Sequence, residues 1–387
     1  MATLIRPPPI DPSKAEIENV LELTYLDPID PNLYTNTRPL WHPPGARGVY
    51  GGAVIAQCLV AAQKTVPEDF WIHSMHCYFV LAGNADIPVI YHVENVRQGR
   101  SFATRTVQAR QRGKAIFTTT MSFVREGAGG KLLVQHEVNM PYVPEPVETD
   151  FGDLRLPQGV DGPFQSQRID ILNSKSNSAL RAIQRAELNI ASDDSPHPHT
   201  KKTRQWIKAR GRISPAGGHQ AHLAAMAYMS DSYFIGTVSR VHKLWRIPAP
   251  AKTTAPSVRT TPSPTTTPPW AKNTENSETV VDEDVLAQLR DGDDEQRRQG
   301  MEEYVQNRLR KVRPEVSMMV SLDHTIYFHD PRGFRADEWI FTEMETPWAG
   351  DGRGLVYQRM WTREGKLIAS CVQEGVVRLK QPPEAKL

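Results

Sequence analysis

Three polar residues of this chain stand in apolar surroundings. Asp231 follows Leu223 by eight positions, which on a helix keeps it on the same, mostly apolar face and close to the helix end. A carboxylate there needs partners or water, because burying it unpaired is costly. Gln373 lies in the apolar run Leu367 to Arg378, just before Glu374-Gly375, and Ser321 precedes Asp323-His324 in another such run. A carboxylate in such a place could act as a base toward a bound water. Each of the three residues also has a plainer reading: a helix-terminal Asp in solvent, a strand-edge Gln bonding to backbone, a strand Ser serving as a structural hydroxyl. His76, His324 and His329 read as structural strand histidines, since no Cys or Ser nucleophile pattern accompanies them. No Gly-x-Ser-x-Gly is present, so a nucleophile-elbow serine is not expected. The three cysteines, Cys58, Cys77 and Cys371, are odd in number and sit in apolar runs; they read as free buried thiols of a reducing compartment. They lack metal-ligand spacing, and neither a metal nor a cofactor is expected.

The elements that would position these residues are marked by an internal repeat. The stretch from Gly51-Gly52 to Ala62 carries Ile55, Cys58, Leu59 and Ala62 at i, i+3, i+4 and i+7, the stripe of a helix. The stretch from Gly217-Gly218 keeps that spacing at Leu223, Met226 and Ala227. Both are alanine-rich, which allows close approach of whatever covers them. Strands follow the first copy over 72–81, 87–96, 101–110 and 115–124, the last two joined by Gln111-Arg112-Gly113-Lys114. In the second copy strands are predicted over 205–213, 317–329, 338–345, 354–362 and 367–378, with Arg363-Glu364-Gly365-Lys366 echoing the first turn. His76 falls near the place of His324. Aligned on these glycines, Asp231 stands against Thr65 and Gln373 against Met121, so carboxylate and amide are additions to a structural frame. Before the first copy, Ser13-x-x-Glu16 predicts a capping box and a short helix through Ile17, Val20 and Leu21.

The domain reading is a first repeat over 1–140, a proline-rich linker over 141–202, and a second repeat over 203–237 and 315–387. Within the second repeat, Gly217 to Gly365 is much longer than Gly51 to Gly113. The excess is placed at 238–314, where a Pro/Thr/Ser tract and a run of charges suggest an insertion that cannot build a core. With 387 residues at a net charge of +2, the chain is not a nucleic-acid protein bound mainly by electrostatics. No apolar run reaches the length of a membrane span, and Met1 to Pro9 lacks the pattern of a signal peptide, so an intracellular protein is expected.

A long helix wrapped by an antiparallel sheet, twice in one chain, is the double hot-dog form of an α+β fold. The chain closely resembles the acyl-CoA thioesterase II family. The resemblance is carried by Arg47-Gly48-Val49-Tyr50-Gly51-Gly52, His73-Ser74-Met75-His76-Cys77-Tyr78-Phe79 and Ser101-Phe102-Ala103-Thr104-Arg105 in the first half. In the second it is carried by Tyr228-Met229-Ser230-Asp231, Ser321-Leu322-Asp323-His324-Thr325 and Val372-Gln373-Glu374-Gly375. It implies hydrolysis of fatty acyl-CoA to free acid and CoA by one water held among Asp231, Ser321 and Gln373. The oxyanion donors are expected at Gly217-Gly218 or at the equivalent glycines of the first copy. A hot-dog enoyl-CoA hydratase and a non-catalytic acyl-CoA binder are the alternatives. The former uses Asp-x-x-x-x-His, but five positions after Asp231 stands Gly236; the latter has no use for the three residues together. The ending Ala385-Lys386-Leu387 resembles the Ser-Lys-Leu address. It implies an import receptor as partner and a peroxisomal location, or a cytoplasmic one if the tripeptide is not read. Hot-dog proteins usually associate through sheet edges, so a homo-oligomer is expected.

Overall fold

A computed structural model describes residues 7–41, 48–146, 163–168, 190–191, 195–244 and 314–381. The chain divides into Met1–Lys243 with Val316–Leu387, and a second unit, Leu244–Glu315, of which only 244, 314 and 315 are among the described residues. The Pro/Thr/Ser tract and the tripeptide Ala385-Lys386-Leu387 therefore lie outside the described residues.

The two glycine-led stretches are helices of equal length. The chain opens on α1 (Glu16–Leu21), then α2 (Gly51–Gln63); α3 (Gly218–Ser230) matches α2 at 13 residues, and α4 (Gly236–Val241) follows it. In α2 the buried residues run unbroken from Gly52 to Leu59 and resume at Ala61 and Ala62, so this helix is covered all round and not striped. Such burial is possible because α2 has a sheet on one side and α3 on the other, and its alanines bring them close. A Cβ on Gly52 would lie 2.2 Å from the Tyr228 carbonyl oxygen, so only glycine permits this contact. The start of α2 thereby meets the end of α3, and the two helices run antiparallel.

Among the described residues six strands belong to the first repeat: β1 (Leu23–Tyr25), β2 (Leu33–Asn36), β3 (Phe70–Phe79), β4 (Ile90–Gln98), β5 (Phe102–Gln111) and β6 (Lys114–Arg125). The rest are β7 (Phe164–Arg168), β8 (Ile190–Ala191), β9 (Lys202–Ala209), β10 (Val316–Ser321), β11 (Asp323–Phe328), β12 (Ile340–Gly350), β13 (Arg353–Thr362) and β14 (Leu367–Leu379). They form one sheet in the order β1-β2-β4-β5-β6-β3-β11-β14-β13-β12-β9-β7, with β10 beside β14 and β8 beside β9. The orders β2-β4-β5-β6-β3 and β9-β12-β13-β14-β11 are the same permutation of five strands around a helix. The repeats join where β3 and β11 pair antiparallel, Asp323 opposite Tyr78 through Tyr327 opposite Ser74. A free sheet edge in each repeat is thus consumed by the other.

Four expectations need correction. The linker reading of 141–202 overlooks β7, which pairs with β9 from Phe164–Ala209 to Arg168–Gln205. The excess sequence starts later than 238, because Val238 and Val241 are buried at helical spacing in α4, which packs on β9, β12 and β13. The cap of α1 is Ala15, not Ser13: Glu18 accepts from the Ala15 N–H at 2.8 Å, while the Ser13 hydroxyl donates to Asp11 at 2.6 Å. The strand predicted over 317–329 is two strands broken at Leu322, and the break falls opposite Gln373-Glu374.

Candidate active site

Asp231 is the C-cap of α3, with φ −84° and ψ 0°. Two residues on, Tyr233 takes the left-handed conformation, φ 56°, which turns the chain out of the helix. The end of α3 is held further by the Tyr50 hydroxyl, which donates to the Tyr228 carbonyl at 2.9 Å. Tyr50 belongs to the turn that starts α2, so the first repeat fixes the position of an acid from the second.

Asp231 has two donors. Gln373 Nε2 donates to its Oδ1 at 2.8 Å, and the Gly52 backbone N–H donates to the carboxylate as well. A Cβ on Gly51 would stand 2.7 Å from Asp231 Oδ2 and 2.8 Å from the Phe79 ring, so α2 starts against this carboxylate. Helix-start N–H groups have no partner within the helix and favour negative charge. Burial nonetheless wins: it pushes the Asp231 carboxyl up to about 6, against the lowering by Gln373 and by Gly52. A carboxylate with that pKa is a competent base near neutral pH.

Gln373 is fully buried. Its strand, β14, alternates inward and outward here, and parity places 373 inward. The amide nitrogen serves Asp231 and, at 3.1 Å, His324 Nδ1. Its oxygen, Oε1, is buried without a hydrogen-bond partner. A buried amide oxygen left unpaired costs stability, and here it belongs to the side chain that touches the carboxylate. The two strands facing it separate at Leu322, where Asp323 Oδ1 accepts from the Glu374 N–H at 2.7 Å, taking the place of a ladder carbonyl.

The structure brings Asp231 and Gln373 together but not Ser321. That serine ends β10 opposite Gly375, two positions along β14 from Gln373, and is half-buried. Among the described residues no hydrogen bond joins it to Asp231 or Gln373. Of the two glycine pairs, Gly51-Gly52 is the one at Asp231; Gly217 lies at the other end of α3, where a Cβ would meet Glu18 Oε1 at 2.6 Å. His324, read from sequence as structural, touches Gln373. Its supposed counterpart His76 points outward, and Met75 occupies the inward place opposite Met121.

The first repeat has no such pair. Matching the two helices end to end sets Lys64, not Thr65, against Asp231, because residues 215–217 form a separate turn before α3. Thr65 is engaged: Arg105 Nε donates to its hydroxyl at 2.9 Å and Nη2 to its carbonyl at 2.8 Å. Arg105 is almost fully buried and caps the end of α2 with its charge. Among the described residues there is no cluster of His, Cys, Asp and Glu able to hold a metal, and no helix is long and apolar enough to cross a membrane.

Residues 153–377 match the acyl-CoA thioesterase C-terminal domain and residues 38–124 the acyl-CoA thioesterase N-terminal domain. The chain is 32% identical over 381 residues to human acyl-coenzyme A thioesterase 8, covering 98% of this chain and 94% of that one. It is 23% identical over 403 residues to the peroxisomal acyl-coenzyme A thioester hydrolase 1 of Saccharomyces cerevisiae, covering 94% and 96%. An acyl-CoA thioesterase II crystal structure from Mycobacterium marinum shares the fold, with a TM-score of 0.56 at 24% identity over 96% of this chain and 99% of that one.

Proposed function

We propose, for a chain that belongs to the acyl-CoA thioesterase II family and hydrolyses acyl-CoA, that Asp231 is the general base of the reaction and Gln373 its partner. The observation that carries this reading is the unpaired Gln373 Oε1 beside the Asp231 carboxylate. An oxygen acceptor and a carboxylate side by side are what a nucleophilic water needs: one hydrogen for each. Asp231 removes a proton as the water oxygen bonds to the thioester carbonyl carbon. The carbonyl π electrons move to oxygen, and the resulting oxyanion is met by the Gly51 N–H at the start of α2. Collapse of that adduct breaks the C–S bond. The sulfur departs as a thiolate, whose conjugate acid has a pKa of about 8.5 and needs little help to leave. The proton on Asp231 then passes to the thiolate or to solvent, which restores the base. Ser321 acts in this proposal as a third orienting group, meeting the water from the β10 side and not the protein groups themselves.

Replacing Gln373 with the residue of the first repeat, methionine, tests the reading. Gln373→Met should lower kcat for palmitoyl-CoA by about 10²-fold, the scale of losing one polar group that orients the reacting atoms. Ser321→Ala should cost less. Release of free thiol measures both, and a Gln373→Met enzyme within a few-fold of wild type would remove the amide from the mechanism.

The chain is proposed to work in peroxisomes, read by an import receptor through Ala385-Lys386-Leu387. The name of the yeast relative supports this. Residues added after Leu387 should turn a punctate distribution into a cytosolic one, and unchanged puncta would mean that another signal is used. Association of copies into a homo-oligomer belongs to the same proposal, and sedimentation of the full chain reads it directly.

A further inference from the structure

We propose that His324 is a positioning residue, which fixes the plane of the Gln373 amide and so aims Oε1 at the reacting water. The inference rests on the catalytic reading of Asp231 and Gln373 and deepens it. Its observations are the hydrogen bonds that run from α3 into β11 and β14.

The Ser230 hydroxyl lies 2.9 Å from the Ala227 carbonyl and 2.9 Å from His324 Nε2. A hydroxyl has one hydrogen. The Ala227 carbonyl can only accept, so it takes that hydrogen. Ser230 must then accept from His324, which places the ring proton on Nε2. Nδ1 is left as a lone pair, and Gln373 Nε2 donates to it at 3.1 Å. The other amide hydrogen goes to Asp231 Oδ1 at 2.8 Å. Both amide hydrogens are thereby spent, which fixes the amide plane and leaves Oε1 as its free acceptor.

Each of the two bonds does a different job. The Asp231 carboxylate decides which end of the amide faces it, since an oxygen there would be repelled. A single bond still leaves the amide turning about its last torsion, which is broad for glutamine. The bond to Nδ1 removes that freedom. His324 is itself packed on its face: it is fully buried, with Phe234 edge-on at 5.4 Å and 82°. Burial also holds the imidazole down at about 3, so it stays neutral and keeps its acceptor at any pH where the enzyme would be assayed. The inward place in the first repeat is filled by Met75 beside Met121, so both the amide and its support are absent there.

Two variants and one spectrum test this in the full-length protein. His324→Asn puts an acceptor oxygen near the place of Nδ1, whereas His324→Leu removes it. Both should lower the melting temperature. Only His324→Leu should lose kcat, on the order of 10- to 100-fold with KM for palmitoyl-CoA unchanged, while His324→Asn should recover most of that loss. A purely structural histidine would make activity follow stability in both variants, and a His324→Leu enzyme with wild-type kcat would overturn the proposal. If His324→Leu does not fold, ¹⁵N spectra of histidine-labelled wild type decide. They should show Nδ1 unprotonated, and a proton on Nδ1 would equally overturn it. Gln373→Met separates the two layers: impaired turnover there with a fully active His324→Leu sinks only the positioning role, whereas an active Gln373→Met sinks the catalytic reading itself.

Discussion

Asp231→Asn will abolish most acyl-CoA hydrolysis and leave the fold in place, with kcat about 10²–10⁴-fold below wild type. Asparagine keeps the shape of the side chain and one acceptor oxygen for Gln373 Nε2, while its NH2 takes the place of the second carboxylate oxygen. What it lacks is a lone pair basic enough to take a proton from water. No residual turnover is expected from the first repeat, where Lys64 and Met121 stand in place of the acid and the amide and Thr65 is bound to Arg105. Stability should move differently from activity. The Asp231 carboxyl is raised above its ordinary 3.8 to about 6, so its effect on stability is fully present below 3.8 and lost as pH rises through 6, where the ionised form meets the cost of burial. A neutral asparagine never carries that cost. The melting temperature of the variant relative to wild type should therefore rise as pH rises through 6. A variant turning over within a few-fold of wild type would remove Asp231 as the base; a variant that fails to fold would show that the carboxylate is structural.

Residues 203–387 expressed alone will be insoluble or inactive, and co-expression with residues 1–170 will restore some activity. The proposed site draws on both repeats. The acid and amide come from α3 and β14, whereas the Gly52 N–H, the close approach of Gly51 and the Tyr50 hydroxyl come from the first half. Cutting them away leaves Asp231 without one of its two donors and the end of α3 without its anchor. The cut also strips β3 from β11 and exposes the apolar face of α3, which includes Leu223, Met226 and Ala227. An unpaired edge and a bare helix face of that size favour aggregation. A soluble 203–387 fragment with full thioesterase activity would show that the first repeat is dispensable.

The frame was legible because its signals are local. A glycine pair, an alanine-rich helix and a strand pair around a turn recur in the same order, and local pattern is what sequence carries best. Gln373 could be singled out because its counterpart is a methionine, and Asp231 because its helix face is otherwise apolar. His324 was visible as a residue but not as a partner of Gln373. Which side of a strand a residue faces depends on where the strand breaks, and the break at Leu322 is created by the Asp323 side chain bonding to Glu374 on another strand. A one-residue slip reverses every side chain, which is how His76 came to be matched with His324. The choice between the two glycine pairs was hidden for a related reason: it depends on which helix end meets Asp231, and that is set by the antiparallel packing of α2 and α3. The two strands described within 141–202, β7 and β8, are short and pair with β9, so no alternation longer than a few residues announced them.

The most direct measurement is the pH dependence of kcat/KM for palmitoyl-CoA, which reports the ionisation of the free enzyme. With Asp231 as base the rate must rise with pH as the carboxyl loses its proton. An ascending limb centred at about 6 is expected in wild type, and its disappearance from whatever activity remains in Asp231→Asn. A profile flat from pH 5 to 8, or the same limb persisting in Asp231→Asn, would contradict it.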